Sequence, residues 1–343
     1  MVKRLRLTAG PISLALNGRT IVVTSVLLVI CLAVAVLALS VGSVALSPIT
    51  VIEALLGRVS GPEGFIVETL RLPRIVMAFL VGAALGVSGL ILQALIRNPL
   101  ASPDIIGISG GASVAAVAFL SFLTPWFAIQ WLPVAAIAGA MAAAAIIYFL
   151  AWRDGVTPLR LVLIGIGLSA AMGAATTLMI TLSPITTTMT AYVWLTGSIY
   201  GADWKDVQAF APWLMVLLPL ALFRARAIDL QAFGDTLATG LGLSVQRSRC
   251  LLMFLSVALA GAAVAHGGAI GFVGLIAPHI ARQLVDRQFA GLAPVAAMIG
   301  GLLVLLGDLI GRTVFTPLDL PAGVFVSAVG APFFVYLLFR QRY

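Results

Sequence analysis

The chain has 343 residues, of which 62% are hydrophobic and 9% are charged, and its formal net charge is +8. A soluble domain is close to half apolar and about a quarter charged, so this composition excludes a water-soluble globular protein. At about 20 apolar residues per crossing, plus loops, the length allows roughly ten to twelve membrane helices. The basic residues are scattered singly or in pairs, which excludes a nucleic-acid-binding protein. Both cysteines lie inside apolar runs, so a disulfide framework has no support.

Ten helices are predicted from the uncharged runs of the sequence. A turn with aromatic anchors around 124–133 divides the long run 105–152 into two helices. The glycines after His266 break the run 250–281 and leave a short helix around 270–285. We therefore predict an all-α, polytopic membrane protein that forms a single domain over 1–343. The remaining uncharged runs are 20–52, 75–96, 161–202, 207–223, 288–307 and 320–339.

The distribution of basic residues predicts the orientation of these helices. Lys3, Arg4 and Arg6 place the segment 1–19 in the cytoplasm, and an even number of crossings returns the C-terminus there. On this path 15 of the 20 basic residues lie in cytoplasmic segments. A cleavable signal peptide is disfavoured, because the first apolar run of 20–42 exceeds the 7 to 15 residues of a signal core.

The sequence excludes ATP hydrolysis by this chain. A phosphate-binding loop requires Gly-Lys followed by Ser or Thr, whereas Val2 and Trp204 precede the only two lysines. The carboxylates also fall close to the boundaries of the apolar runs, so a proton relay inside the membrane is disfavoured. The energy for any active transport is therefore expected from another subunit.

An intramembrane serine protease is the enzyme class that remains to be weighed. The segments 86–89 and 107–110 both match the pattern G-x-S-G, with Ser88 and Ser109 as nucleophiles, and His266 or His279 could act as the base. Two matches in helices rich in glycine and serine favour a packing role instead. We expect no catalytic residue and no metal site, because the two histidines lack clustered ligand partners.

An arginine cluster is predicted on the outer side, where basic residues are expected to be rare. It consists of Arg71, Arg74 and Arg312. The planar guanidinium suits carboxylates, so the cluster could dock an acidic partner or an anionic ligand. The alternative is that these arginines reach lipid phosphates or pair with Glu68 or Asp308.

A cytoplasmic loop over 224–249 is the second unusual segment. Its residues 233–243 predict a short amphipathic helix interrupted by glycines. We interpret it as a docking surface for a cytosolic protein, with a plain linker as the alternative.

Five motifs in order make the chain similar to a known family. It resembles the permease subunits of bacterial ABC importers for iron siderophores, haem and vitamin B12, the FecCD family. The stretches 153–156 and 160–167 are similar to those of enterobactin-type permeases, which favours a ferric siderophore over haem or cobalamin. The motifs are RLPR at 71–74, VGAALGVSG at 81–89, RNPLASPDIIGISGGA at 97–112, GAIGFVGLIAPHIAR at 268–282 and LPAGVFVSAVGAPFF at 320–334.

The resemblance implies the type II ABC importer permease fold in the bacterial inner membrane. Two permeases are expected to pair around a central path; a heterodimer is favoured and a homodimer is left open. The implied partners are two cytosolic ATP-binding subunits, which use ATP and magnesium, and a periplasmic or lipid-anchored binding protein. No cofactor is expected to bind this chain directly.

The resemblance also implies roles for particular residues. Arg71, Arg74 and Arg312, hereafter the docking arginines, would receive acidic side chains of the binding protein. The central path would be lined by 161–182 and 322–339. The gate at its cytoplasmic side would be Thr157, Pro158 and Leu159, although Pro158 departs from the small hydroxyl residues of the vitamin B12 permease. The coupling segment, 234–243, would contact the ATPase through Gly234, Asp235, Leu237, Ala238, Leu241 and Gly242.

Overall fold

The computed structural model describes residues 4–9, 12–59 and 61–340. A short antiparallel hairpin of β1 (Arg4–Ala9) and β2 (Ile12–Asn17) precedes sixteen α-helices in these ranges. The first eight helices are α1 Gly18–Ser40, α2 Pro48–Leu55, α3 Pro62–Phe65, α4 Leu72–Ile96, α5 Pro103–Ile106, α6 Ile108–Ala118, α7 Leu132–Ala151 and α8 Pro158–Leu182. The other eight are α9 Ile185–Thr196, α10 Trp204–Phe223, α11 Ala225–Ala232, α12 Asp235–Gly240, α13 Val245–Gly267, α14 Val273–Leu284, α15 Phe289–Thr313 and α16 Ala322–Arg340.

Within the described ranges, eight helical segments are long and apolar enough to cross a membrane. A shorter apolar helix covers Ile108–Leu123. These helices confirm the prediction of an all-α polytopic membrane protein, whereas the predicted number of ten spans stays a prediction. The predicted short helix around 270–285 is α14. The eight segments are Gly18–Ser40, Pro62–Ile96, Ile129–Ala151, Pro158–Leu182, Trp204–Phe223, Val245–Gly267, Phe289–Thr313 and Ala322–Phe339.

Three local features differ from the predicted elements. The segment 1–19 was expected to be a plain cytoplasmic terminus, but it contains the hairpin, in which Arg4 is paired with Asn17. The run 161–202 contains two helices, because Ser183 and Pro184 are extended and interrupt the helix between α8 and α9. The loop 224–249 is mostly helical, and its last residues, from Val245 onward, form the first turns of α13.

Helix α4 forms the centre of the bundle. In its span 83% of the most apolar stretch is buried, compared with 17% for α1 and for α8. Glycines allow α4 to approach its neighbours at backbone distance: a Cβ added to Gly82 would lie 2.1 Å from the carbonyl oxygen of Gly300 on α15. A Cβ on Gly89 would lie 1.9 Å from the carbonyl oxygen of Gly274 on α14. Small residues thus hold the central helices together, as is typical of packing in lipid.

The helices place the candidate residues at two opposite ends of the bundle. At one end, hereafter the Arg74 end, α4 begins and α15 finishes. At the other end, hereafter the Asp235 end, α4 finishes and both α8 and α13 begin. Helix α12, which comes between α10 and α13 in the chain, is also at this end. In α1, α8 and α16 no more than 28% of the most apolar stretch is buried, so these helices are available to lipid or to another subunit.

Candidate functional site

Two of the docking arginines, Arg74 and Arg312, meet at the Arg74 end around one carboxylate, that of Asp308. The Nη2 of Arg74 lies 2.8 Å from Oδ1 of Asp308, and the Nη1 of Arg74 lies 2.7 Å from Oδ2 of Asp319. The Nε of Arg312 lies 3.6 Å from Oδ2 of Asp308, one turn away on α15. Residues from α4, α15 and the segment before α16 are therefore tied together by charge.

All three docking arginines are largely buried. The exposed fraction of the side chain is 13% for Arg74 and 9% for Arg312, and Arg71 is 7% exposed. The guanidinium of Arg71 donates to the carbonyl oxygens of Leu39 and Val44, each at 2.5 Å, and so holds the turn that follows α1. The pairing with Asp308 that the sequence left as an alternative is present for Arg74 and Arg312, and their docking role stays a prediction.

Two groups connect this cluster to the surface of the Arg74 end. Asp319 has 28% of its side chain exposed, whereas Asp308 has 1%. The guanidinium of Arg74 also lies 5.6 Å from the ring centre of Tyr200, within the range of a cation–π contact. Arg58 and Lys205, which lie close to spans at this end, are exposed.

The predicted coupling segment forms helix α12 at the Asp235 end. Gly234 and Gly242 flank this helix with φ angles of +102° and +86°, which favour glycine. Ala238 is fully buried, whereas Leu237 is 60% and Leu241 is 66% exposed. The segment therefore anchors one face in the protein and presents two leucines on its surface, as a docking surface requires.

Asp235 binds two arginines that the sequence analysis did not assign to the site. Its Oδ1 lies 2.9 Å from Nη2 of Arg249 on α13 and 3.2 Å from Nη2 of Arg97 at the end of α4. Arg249 has 1% of its side chain exposed and also donates from Nη1 to the carbonyl oxygen of Val156. A signal was present in the sequence, because an arginine inside the first turns of a span needs a partner.

The predicted gate lies at the start of α8, also at the Asp235 end. Thr157 immediately precedes the helix, Pro158 is its first residue, and Leu159 is 69% exposed. Proline is favoured at that position because the first helical N–H has no partner inside the helix. These residues line a cavity of about 490 Å³ together with residues 96–99 and Val162.

The serines of the protease alternative are placed for packing. The Oγ of Ser88 lies 2.8 Å from both the carbonyl oxygen and the Oγ of Ser256, and Ser109 donates to Oδ1 of Asp104 at 2.7 Å. His266 uses its Nδ1 on the carbonyl oxygen of Ala262, one turn earlier in α13. None of these hydrogen bonds joins either serine to a histidine, which nucleophilic catalysis would need as the base. The protease interpretation is therefore not supported. Across the described part of the chain, no three His, Cys, Asp or Glu residues group as metal ligands would.

Comparison with known proteins identifies the family of the chain. The model of the FecCD transport family matches residues 27–340. The chain is 56% identical over 336 residues to the achromobactin transport system permease protein CbrC of Dickeya dadantii, covering 97% of this chain and 96% of that protein. It is 38% identical to the ferric enterobactin transport system permease protein FepG of Escherichia coli, covering 94% and 98% of the two chains.

A solved structure has the same fold. An inward-facing metal-chelate type ABC transporter superposes with a TM-score of 0.83 at 28% sequence identity, over 93% of this chain and 99% of that one. Proteins of this kind are transport subunits that work with a separate ATPase and a binding protein, which accords with the missing phosphate-binding loop. The chain is a multi-pass membrane permease without catalytic function of its own, and it belongs to the FecCD transport family.

Proposed function

We propose that this permease moves a ferric siderophore from a periplasmic or lipid-anchored binding protein through the inner membrane into the cytoplasm. The observation that carries the substrate class is the 56% identity, over nearly the whole chain, to an achromobactin permease. Relatives named for ferric hydroxamate and ferric enterobactin import support the same class. Haem and cobalamin are the alternative substrates that the experiment below distinguishes.

The orientation follows from the charges at the two ends. We infer that the Asp235 end faces the cytoplasm and the Arg74 end faces the periplasm, with both termini cytoplasmic. The bias of basic residues toward the Asp235 side supports this assignment. The coupling segment then faces the ATPase subunits, which bind and use ATP and magnesium.

Docking of the binding protein is proposed at the Arg74 end. Because the docking arginines already have partners in the protein, an incoming carboxylate would have to replace one of them. Asp319 is the partner best placed for exchange, since 28% of its side chain is exposed. An exchange of one carboxylate for another gains little affinity, so the cluster is expected to orient the binding protein and speed its association rather than to hold it.

A second permease is proposed to complete the path. The exposed helices α8 and α16 supply a surface for pairing, and the gate residues lie at the cytoplasmic end of α8. A heterodimer is favoured. ATP binding to the ATPase subunits would drive transport by stabilising the outward and inward states of the transporter to different extents. The coupling segment would receive the movement of the ATPase and pass it to the helices of this chain.

Uptake by a deletion strain tests the proposed substrate. We expect loss of radioactive iron uptake from ferric achromobactin, and its return when the gene is supplied, while haem and cobalamin uptake stay unchanged. Complementation of the deletion strain with the Leu159→Phe variant gives a second measurement. We expect slower iron uptake, because the side chain at the gate is larger. If the deletion instead abolished haem or cobalamin uptake, and the supplied gene restored it, the proposed substrate class would be wrong.

Docking is tested with a pair of arginine variants. Arg74→Gln should slow the association of the substrate-loaded binding protein several-fold, because it removes the charge next to Asp319 that would orient the incoming protein. Arg58→Gln, at an exposed arginine of the same end, is the control and should leave binding unchanged. Surface plasmon resonance on purified transporter measures both. The reverse result would move docking from the cluster to the exposed arginine.

A further inference from the structure

We propose that Arg249 is the residue that transmits movement of the coupling segment to the gate. The inference rests on the proposed function, since it assumes that the Asp235 end receives the ATPase. It adds a defined mechanical connection from Asp235, through the guanidinium of Arg249, to the backbone of Val156. Val156 directly precedes the gate residue Thr157.

The first part of the connection is an ion pair with two hydrogen bonds. The Nη2 of Arg249 donates to both oxygens of Asp235, at 2.9 and 3.0 Å. Asp235 is the first residue of α12 and is 42% exposed, so it lies on the segment that a partner would contact. In contrast to Asp235, Arg249 is almost completely buried, with 1% of its side chain exposed.

The second part holds the residue in front of the gate. Arg249 donates from Nη1 to the carbonyl oxygen of Val156. Gln246, one turn earlier on α13, accepts from the N–H of Val156 at 3.1 Å and donates to its carbonyl oxygen at 3.4 Å. The backbone of Val156 is thereby fixed to the start of α13. Gly155 has a φ of +112°, and an added Cβ would lie 2.7 Å from the amide of Gln246.

Arg97 forms a parallel connection on the other side of Asp235. It ends α4 with a φ of +57° and lies 3.2 Å from Oδ1 of Asp235. The cavity beside the gate is lined by Arg97 together with Asn98, Pro99 and the three gate residues. Asp235 is therefore shared by two arginines, each of which leads to the gate from a different helix.

Burial makes the connection through Arg249 stiff. A buried guanidinium must keep its partners, because an unpaired charge in the protein interior is strongly destabilising. The Nε of Arg249 is already buried without a partner among the described residues, so the other donors cannot be released at little cost. A shift of α12, which is flanked by two glycines in left-handed conformations, is expected to move Arg249 and Val156 with it.

Distance measurements on the assembled transporter test this movement directly. Spin labels at Leu159 and Leu237, both exposed, report the gate and the coupling segment. In the otherwise unmodified transporter we expect both labels to shift when ATP binds. In the Arg249→Lys variant, which keeps the charge but cannot span both partners with a fork, the label at 237 should still shift and the label at 159 should not.

The amount of iron transported per ATP hydrolysed gives an independent readout. It is measured with the transporter in vesicles and ferric achromobactin supplied outside them. For Arg249→Gln and for Asp235→Asn we expect at least a tenfold fall in iron transported per ATP hydrolysed. The double variant should fall no further, because both changes break the same connection. Arg247→Gln, at an exposed arginine on the same turn of α13, is the matched control and should keep the normal ratio.

The outcomes separate this inference from the proposed function. A gate label that stays in place while the coupling label moves, in the transporter without a change at 249, would refute transmission through Arg249. An Arg249→Lys variant with normal label movements and a normal transport ratio would refute it as well. Failure of the unchanged transporter to import iron, with both labels moving on ATP, would instead refute the proposed substrate and leave the transmission in place.

Discussion

Asp308 shows how a single residue organises the Arg74 end. Its side chain is 1% exposed, and its two oxygens are shared between Arg74 and Arg312. A lone carboxylate inside a membrane protein would be costly, but two guanidinium groups compensate its charge. At this end of the bundle, the buried carboxylate of Asp308 and the guanidinium groups of Arg74 and Arg312 therefore compensate one another.

At the residue scale we predict that Asp308→Asn destabilises the protein far more than Asp319→Asn. The first change leaves two buried arginines short of a partner and should cost about 3 to 5 kcal/mol. The second affects a pair that is partly solvated and should cost about 1 kcal/mol or less. Thermal unfolding in detergent measures the difference. Equal losses would mean that Asp308 is not the centre of the cluster.

At the element scale, the contact between α4 and α15 depends on glycine. Gly82 and Gly300 face each other so closely that a Cβ on either would lie 2.1 or 2.2 Å from the carbonyl oxygen of the other. Such a contact allows dispersion forces to act between backbones, which is the main attraction available to helices in lipid. The central position of α4 follows from these small side chains.

Gly82→Ala is therefore predicted to separate α4 from α15 and to lower the unfolding temperature by several degrees. Overpacking of a close contact typically costs about 1 to 3 kcal/mol. Gly173→Ala is the control, because an added Cβ there meets no atom within 4 Å, and alanine is the better helix former. A Gly82→Ala protein as stable as the control would contradict the packing argument.

At the scale of the whole molecule, the chain presents different surfaces to different partners. The long faces of α1, α8 and α16 are apolar and exposed, as suits lipid or a second permease. The coupling segment places two exposed leucines at the Asp235 end, outside the spans. Exposed leucines at such a position indicate contact with another protein.

We predict that the paired change Leu237→Asp and Leu241→Asp prevents co-purification of the ATPase subunits. Charges on the apolar face would remove the buried contact area and leave carboxylates to be desolvated. Leu56→Asp is the control, since Leu56 is 61% exposed but lies at the Arg74 end. Affinity purification of the tagged permease measures the effect. Normal recovery of ATPase with the double variant would reject the coupling assignment.

The helical spans were predictable because hydropathy is a local property of the chain. The break after His266 predicted a short helix around 270–285, and α14 occupies 273–284. The end of α8 agrees with the stretch 161–182, but the separate helix α9 was not predicted, because its residues continue the uncharged run 161–202. The hairpin before α1 was missed as well, since short strands near a terminus carry little periodic signal.

The sequence alone determined the membrane class, the missing phosphate-binding loop and the family, because all of these depend on composition and on short motifs. Only the tertiary structure decided that Arg74 is paired with Asp308, 234 residues away, and that Arg249 reaches Val156, 93 residues away. Such partners become neighbours only after the helices pack. A buried charge selects its partner by proximity in space, and the spacing of residues along the chain does not encode that proximity.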